Sequence, residues 1–364
     1  GAAANAGYLI VGFTSMGLAW IIGSLQSLLL QIGVSEELVS MLVAHQGWRL
    51  MMMLGALPAL LTFFIRLFVP ESHRWVEEKQ LGRTSGWKGV DLIGILLGCA
   101  GPALILVVWT WDVSHWSMAA ASLGRGVGTL AGLTIATIGF TYPVWRYIER
   151  SRLREQNSAT SLNRSIILNR MFLGACLSAV PLLGTWGTTQ WAVTWAGSLQ
   201  SKTMQADVSA APQPEKDTLQ RFAKQWTQIA TAVGAIIGTL LAAALGDAVG
   251  RRKTYFVMCV LSMASVLWLY QGHNEFGISF LVAALVAGIF TASFYGWLPL
   301  YLPELFPTRM RATCQGFAFN FGRILAAIGT LQMSSLLPYF GSFTTYAGIQ
   351  GGYAVACSSL TVIY

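Results

Sequence analysis

Charged residues are scarce in this sequence. Asp, Glu, Lys and Arg make up 10% of the 364 residues, whereas hydrophobic residues make up 54%. A soluble domain has about 25% charged residues, because it needs them to cover its surface. Helices surrounded by lipid are apolar on all sides. The composition therefore predicts a membrane-embedded chain rather than a soluble one with a large core.

The residue patterns of most catalytic and metal sites are also missing. The five Cys residues are isolated within apolar segments or at their edges, with no spacing that suits zinc. All four His residues fall between apolar segments, and no H-E-x-x-H or G-x-x-x-x-G-K-[ST] segment occurs. We therefore expect no enzyme activity, no metal, no cofactor and no nucleotide-driven pumping.

The basic residues are placed in a way that argues against a nucleic-acid partner. The formal net charge is +8, but the Lys and Arg residues fall in short blocks between apolar segments and do not form one basic face. A lipid bilayer is the partner that this pattern predicts.

Ten apolar segments are long enough to cross a bilayer, which takes about 20 residues. Basic residues concentrate in alternate connections between them, so the positive-inside rule places both ends of the chain on the cytoplasmic side. We expect an all-α, polytopic, monomeric helical bundle in the inner or plasma membrane. The expected spans are 6–30, 48–68, 90–111, 124–144, 171–195, 222–245, 254–270, 277–300, 313–337 and 346–364.

Three motifs place a carboxylate beside Arg residues at expected cytoplasmic ends of spans. Such pairs can lock neighbouring helix ends in one state and release them in another. For any single motif, a role as a topology signal or helix cap is an equal alternative. The residues concerned are Glu71 and Arg74 in the first motif, Asp247, Gly250, Arg251 and Arg252 in the second, and Glu304, Arg309 and Arg311 in the third.

Together the three motifs resemble the major facilitator superfamily, in particular its sugar-porter and metabolite–proton symporter branches. Those proteins have a P-E-S-R-W segment after helix six, a G-D-x-x-G-R-R loop after helix eight and a P-E-x-F-P-T-R-x-R-A segment after helix ten. The resemblance implies that our first span corresponds to family helix five and that family helices one to four are absent. Spans 90–111 and 124–144 would then be two inserted helices, as in fourteen-helix members such as bacterial sialic-acid transporters. The implied parts are 1–75 from the N-terminal half, 76–165 with the insertion, and a six-helix half at 166–364.

Arg323 is the first candidate for substrate binding. It lies about ten residues into its span, near mid-membrane at 1.5 Å per residue, where a charge is costly and usually functional. A guanidinium group matches a carboxylate with two parallel hydrogen bonds. Asn320 lies on the same helix face. The alternative is that Arg323 pairs with backbone carbonyls or with an acid elsewhere in the protein.

Aromatic and amide side chains in other spans are further candidates. A Trp ring can stack on a sugar or an organic acid while a neighbouring amide binds its hydroxyls, although Trp is also common at membrane interfaces. A lone Gln such as Gln26 often makes only a helix–helix hydrogen bond. The candidates are Trp186, Gln190 and Trp191 in the fifth span, Tyr295 and Trp297 in the eighth, and Gln26 in the first.

The resemblance implies secondary active transport by alternating access, as proton-coupled symport of a small-molecule substrate. We expect an organic acid, such as a sialic or other carboxylic acid, or a sugar. Every Asp and Glu falls in a connection or at a span end, and none lies near mid-membrane, so a proton-coupling carboxylate is expected in helices one to four, and the chain alone is not expected to transport. A transporter-like solute sensor and a polytopic membrane enzyme are the alternatives.

Overall fold

The fold is described from a computed structural model of the chain. It describes residues 1–70, 73–80, 89–113, 115–154, 164–206, 219–307, 310–345, 348 and 351–364. This part of the chain is almost entirely helical, which confirms the expected all-α architecture.

Thirteen α-helices follow one another along the described residues. They are α1 (Ala2–Gln31), α2 (Glu36–Ala56), α3 (Pro58–Phe68), α4 (His73–Gln80), α5 (Gly89–Thr110), α6 (Met118–Arg154), α7 (Arg164–Gly184), α8 (Trp191–Ala206), α9 (Ala223–Ala248), α10 (Arg251–Gln271), α11 (Ile278–Glu304), α12 (Arg311–Phe340) and α13 (Tyr353–Leu360). A π-helical segment, Thr185–Thr189, joins α7 to α8, and a short 3-10 turn, Thr361–Ile363, follows α13.

Eight stretches of the described residues are long and apolar enough to span a membrane, and they match the first eight expected spans. The ninth expected span lies in α12, which is 30 residues long, but its polar residues lower its hydropathy below that of the other eight. At the tenth, the described residues contain only the shorter apolar helix Tyr353–Ile363. Helices α6 and α8 continue to Arg154 and Ala206, about three turns past the expected span ends. The polar residues that follow these two spans are therefore helical as well.

The bundle is organised by long helix pairs. Helix α9 packs along α11 and α1, and α7 packs along α12. The α9–α11 contact is so close that a Cβ atom at Gly238 would lie 1.9 Å from the backbone oxygen of Ile289. Small residues at such contacts let two helix backbones approach each other in a membrane. These pairs surround the cavity described below.

Helices α5 and α6 form the hairpin expected as an insertion. A Cβ atom at Gly139 would lie 2.2 Å from the backbone nitrogen of Gly98, so the two backbones touch. Ala136 on α6 joins Ala175 and Phe321 in a buried cluster, which attaches the hairpin to α7 and α12.

Candidate functional site

A cavity of about 660 Å³ lies among the long helices. Its walls come from α1, α7, the π-helical segment, α9, α11 and α12. Ligand sites of transporters lie near mid-membrane between helices of this kind, and this volume is within the range of small-molecule sites.

Five of the eight predicted binding residues line this cavity. They are Trp186, Gln190, Tyr295, Asn320 and Arg323. Residues from separate predicted spans are thus brought to one place.

The other three predicted binding residues lie away from the cavity lining. The Trp191 ring packs against Tyr353, with ring centroids 5.9 Å apart. Trp297 is buried, and its indole Nε1 donates a 3.0 Å hydrogen bond to the backbone oxygen of Arg251. Gln26 is exposed on α1. In this conformation Trp297 stabilises the turn between α9 and α10.

Arg323 is the one charged side chain among the described residues that line the cavity. Its guanidinium carbon lies 4.9 Å from the ring centroid of Phe319, one turn earlier on α12, which is a cation–π distance. Asn320 donates from Nδ2 to the backbone oxygen of Gly316 at 2.8 Å, which leaves its side-chain oxygen for a ligand. The α12 wall therefore offers a positive charge, a ring and an acceptor.

The π-helical segment forms another polar wall, in which the sequence reasoning named Trp186 but missed Thr185 and Thr189. The hydroxyl of Thr185 donates to the backbone oxygen of Thr291 on α11 at 3.3 Å, and that of Thr189 donates to the Thr291 hydroxyl at 3.1 Å. The Tyr270 hydroxyl bonds to the backbone oxygen of Thr188 at 2.7 Å. Such π-segments are frequent at functional sites. A signal was present, because small and polar residues interrupt an apolar span at 184–190.

The first turns of α1 supply a third wall that the sequence reasoning also missed. The Tyr8 hydroxyl donates to Oε1 of Gln190 at 3.4 Å, and Asn5 donates from Nδ2 to the backbone oxygen of Ala235 at 3.4 Å. Asn5 and Tyr8 are three residues apart, so they share a helix face. This spacing of polar residues in an apolar helix could have identified them.

Two of the three predicted gating motifs meet at Arg251. Its Nη1 lies 2.7 Å from Oδ1 of Asp247, and its Nη2 lies 2.9 Å from Oε1 of Glu304. The guanidinium Nε of Arg251 also donates a hydrogen bond to Oε1 of Glu304, at 3.1 Å. Gly250 between the helices has φ +98°, which only glycine adopts readily. The ends of α9, α10 and α11 are thus tied together through one Arg side chain.

The structure shows less about the other residues that were predicted to take part in gating. Arg252 is exposed beside this cluster, and Arg311 is partly buried at the start of α12. Glu71 and Arg309 lie outside the described residues, as does the side chain of Arg74.

Comparisons with known proteins place this architecture in a family. The family model described as "Sugar (and other) transporter" matches residues 3–85 and 119–360. A probable 4-methylmuconolactone transporter of Cupriavidus pinatubonensis is 26% identical over 249 residues, which cover 66% of this chain and 51% of the relative. The inner membrane metabolite transport protein YhjE of Escherichia coli is 31% identical over 160 residues, 43% of this chain and 35% of the relative. A cis,cis-muconate transport protein of Acinetobacter baylyi is 32% identical over 108 residues, 30% and 26% of the two chains.

The chain spans about half the length of the first of these relatives and less of the other two. The relatives are transport proteins and not enzymes, which agrees with the expectation from the missing catalytic motifs. The family match covers most of the chain, including the spans on both sides of the α5–α6 hairpin. The chain therefore belongs to the sugar (and other) transporter family, within the major facilitator superfamily.

Proposed function

We propose that the chain is part of a secondary active transporter for a small organic carboxylate, and that the cavity is its binding site. The observation that carries this proposal is Arg323, the cationic side chain of an otherwise uncharged set of lining side chains. The Arg323 side chain is exposed at the cavity, and no carboxylate among the described lining residues balances its charge, so a site of this kind favours an anionic ligand. The guanidinium group would bind the carboxylate of the substrate with two parallel hydrogen bonds.

The aromatic lining supports a planar or unsaturated acid. Trp186, Tyr295 and Phe319 all line the cavity near Arg323, and ring faces stack well on flat ligands. Relatives named for cis,cis-muconate and 4-methylmuconolactone support the same class, because both compounds carry a carboxylate on a short unsaturated carbon skeleton.

A polyol or sugar is the second candidate. A myo-inositol transporter of Cryptococcus neoformans is 31% identical over 115 residues, 28% of this chain and 18% of that protein. Gln190 and Asn320 could bind hydroxyl groups, as an uncharged substrate would require. The position of Arg323 favours the acid, because a neutral polyol would leave its charge uncompensated.

Alternating access in this proposal uses the Arg251 cluster. The ion pairs to Asp247 and Glu304 hold the ends of α9, α10 and α11 together in the state described here, and the other state would require them to separate. We further propose proton coupling, through a carboxylate that lies outside this cavity, since no Asp or Glu is among the described residues that line it. The proposed transporter works as a monomer. Both ends of the chain lie in the cytoplasm in this proposal, which the alternation of basic residues between connections supports.

A binding measurement tests the site directly. The purified chain in lipid nanodiscs should bind radiolabelled trans,trans-muconate, and Arg323→Ala should weaken binding about tenfold or more, since a hydrogen bond to a charged group is strong. Arg323→Lys should bind with intermediate affinity, because it keeps the charge and loses the planar fork. Arg66→Gln is the matched control, since Arg66 is exposed on α3.

Two outcomes would contradict the proposal. One is muconate binding that is unchanged in Arg323→Ala. The other is binding of myo-inositol, but not muconate, by the wild-type chain, which would favour the polyol.

A further inference from the structure

The hydrogen bond between Tyr8 and Gln190 joins α1 to the residue that follows the π-helical segment in the cavity wall. We propose that Tyr8 is a positioning residue: it turns the Gln190 amide so that its NH2 group faces the substrate and binds a second acceptor group. This inference rests on the proposed function. It narrows the proposed substrate class from small organic carboxylates to planar acids that carry a second carboxylate or a carbonyl oxygen.

The argument begins with the chemistry of the amide. A Gln side chain has a carbonyl oxygen that accepts and an NH2 group that donates. The Tyr8 hydroxyl donates to Oε1 of Gln190 at 3.4 Å, so the carbonyl side of the amide is engaged by protein. The donor side remains for a ligand in the cavity that both residues line. Without the Tyr8 hydroxyl the amide could rotate and present its oxygen, which would repel a carboxylate.

Tyr8 is itself held in place by α9. Gln228 donates from Nε2 to the backbone oxygen of Tyr8 at 3.1 Å, and Asn5 bonds to the backbone of Ala235. Gly12 lets the helices approach, since a Cβ atom there would lie 2.9 Å from the Ile229 side chain. The position of the Tyr8 hydroxyl is therefore set by the α1–α9 contact.

The three Thr hydroxyl groups on this side of the cavity already donate to protein acceptors. Those of Thr185 and Thr189 donate to Thr291, and that of Thr291 donates to the backbone oxygen of Ala287 at 2.7 Å. The Arg323 guanidinium and the Gln190 amide are two donor groups of the lining, alongside those of Trp186, Tyr295 and Gln315. Two donors that come from different helices suit a ligand with an acceptor at each end.

A pair of matched probes isolates the second acceptor. trans,trans-Muconate and sorbate share a six-carbon diene chain and one carboxylate, and sorbate has a methyl group where muconate has its second carboxylate. In nanodisc binding assays, Tyr8→Phe should raise the Kd for muconate about five- to tenfold, as expected for a weakened hydrogen bond to a charged group. The Kd for sorbate should change less than about twofold, because sorbate has no group for the Gln190 amide.

A double-mutant cycle separates positioning from a general effect on structure. Gln190→Leu should weaken muconate binding, and in that background Tyr8→Phe should have no further effect, because the amide that it orients is gone. Tyr339→Phe is the matched control, because Tyr339 is exposed near the end of α12.

Additive effects in the cycle, or an equal change for muconate and sorbate in Tyr8→Phe, would overturn the inference while leaving the proposed function standing. If the wild-type chain binds neither probe, the proposed function fails and this inference fails with it.

Discussion

The buried carboxylate of Asp91 offers a sharp test of what stabilises the α5–α6 hairpin. Its side chain is 0% exposed, and Oδ2 lies 2.7 Å from Nη2 of Arg150, whose side chain is 21% exposed. Nε of Arg146 lies 3.7 Å from Oδ1. We predict that Asp91→Asn, which keeps the shape and removes the charge, destabilises the hairpin.

The size of the effect follows from this geometry. Two unit charges 2.7 Å apart attract by about 6 kcal/mol at an effective dielectric constant of about 20. Part of that is offset by the cost of removing both groups from water, and Arg150 regains some hydration because it is partly exposed. Removing one partner of a buried pair costs about 3–5 kcal/mol, so we expect the lower end, about 3 kcal/mol.

Hydrogen exchange in nanodiscs is the appropriate assay, because it reports local opening of the hairpin. A loss of about 3 kcal/mol should speed exchange of α5 amides about a hundredfold, with α9 amides as the internal reference. Glu37→Gln removes a charge from an exposed carboxylate at the start of α2, and it should change α5 exchange by less than about tenfold.

A second variant tests the mechanism itself. Replacing both partners of the shorter ion pair, as Asp91→Leu with Arg150→Met, should restore much of the protection, because no buried charge is left unpaired. Arg146 also loses Asp91, but its side chain is 34% exposed and still donates to the Tyr142 hydroxyl. Unchanged α5 exchange in Asp91→Asn, or a double variant worse than the single one, would refute the reasoning.

Two further predictions concern packing and the helix-end cluster. Gly139→Val should prevent normal packing of the hairpin and lower the melting temperature measured by thiol labelling, because its Cβ atom would lie 2.2 Å from the backbone nitrogen of Gly98. Gly126→Val, where a Cβ atom meets nothing within 4 Å, should have a much smaller effect; equal effects would contradict the close contact. Arg251→Gln should increase the separation of the α9 and α11 ends, measured between spin labels by pulsed electron resonance, because the bonds to both carboxylates are lost. The control is Lys253→Gln, which removes an exposed charge two residues after Arg251. If Lys253→Gln increased the separation of the α9 and α11 ends as much as Arg251→Gln does, the ion pairs would not be what holds these helix ends together.

The helical architecture was readable from the sequence because span-length apolar segments and basic connections are local features. The members of the Arg251 cluster could each be named as candidates, because each lies in a short motif at a span end, but the meeting of two motifs at Arg251 was not predicted. Arg323 and Gln190 could each be named as candidates from their own spans. Their meeting at one cavity depends on how separate helices pack.

What the sequence did not reveal depends on contacts between distant helices. The π-helical turn at Thr185–Thr189 is stabilised by Thr291 on α11, and Tyr8 reaches Gln190 only because α1 packs on α9. Trp297 was expected at the site as an aromatic residue of the eighth span, but the face of α11 that carries it packs against the α9–α10 turn. Composition alone does not tell which face of an apolar helix meets the cavity.

The measurement that tests the central claim most directly is uptake of radiolabelled trans,trans-muconate by the full-length protein in proteoliposomes, with and without an imposed pH gradient. We predict uptake that the gradient accelerates and that Arg323→Ala reduces about tenfold or more, whereas Arg66→Gln leaves it unchanged. Binding without any uptake would indicate a solute sensor, and uptake that is equal in Arg323→Ala and wild type would contradict carboxylate recognition in this cavity.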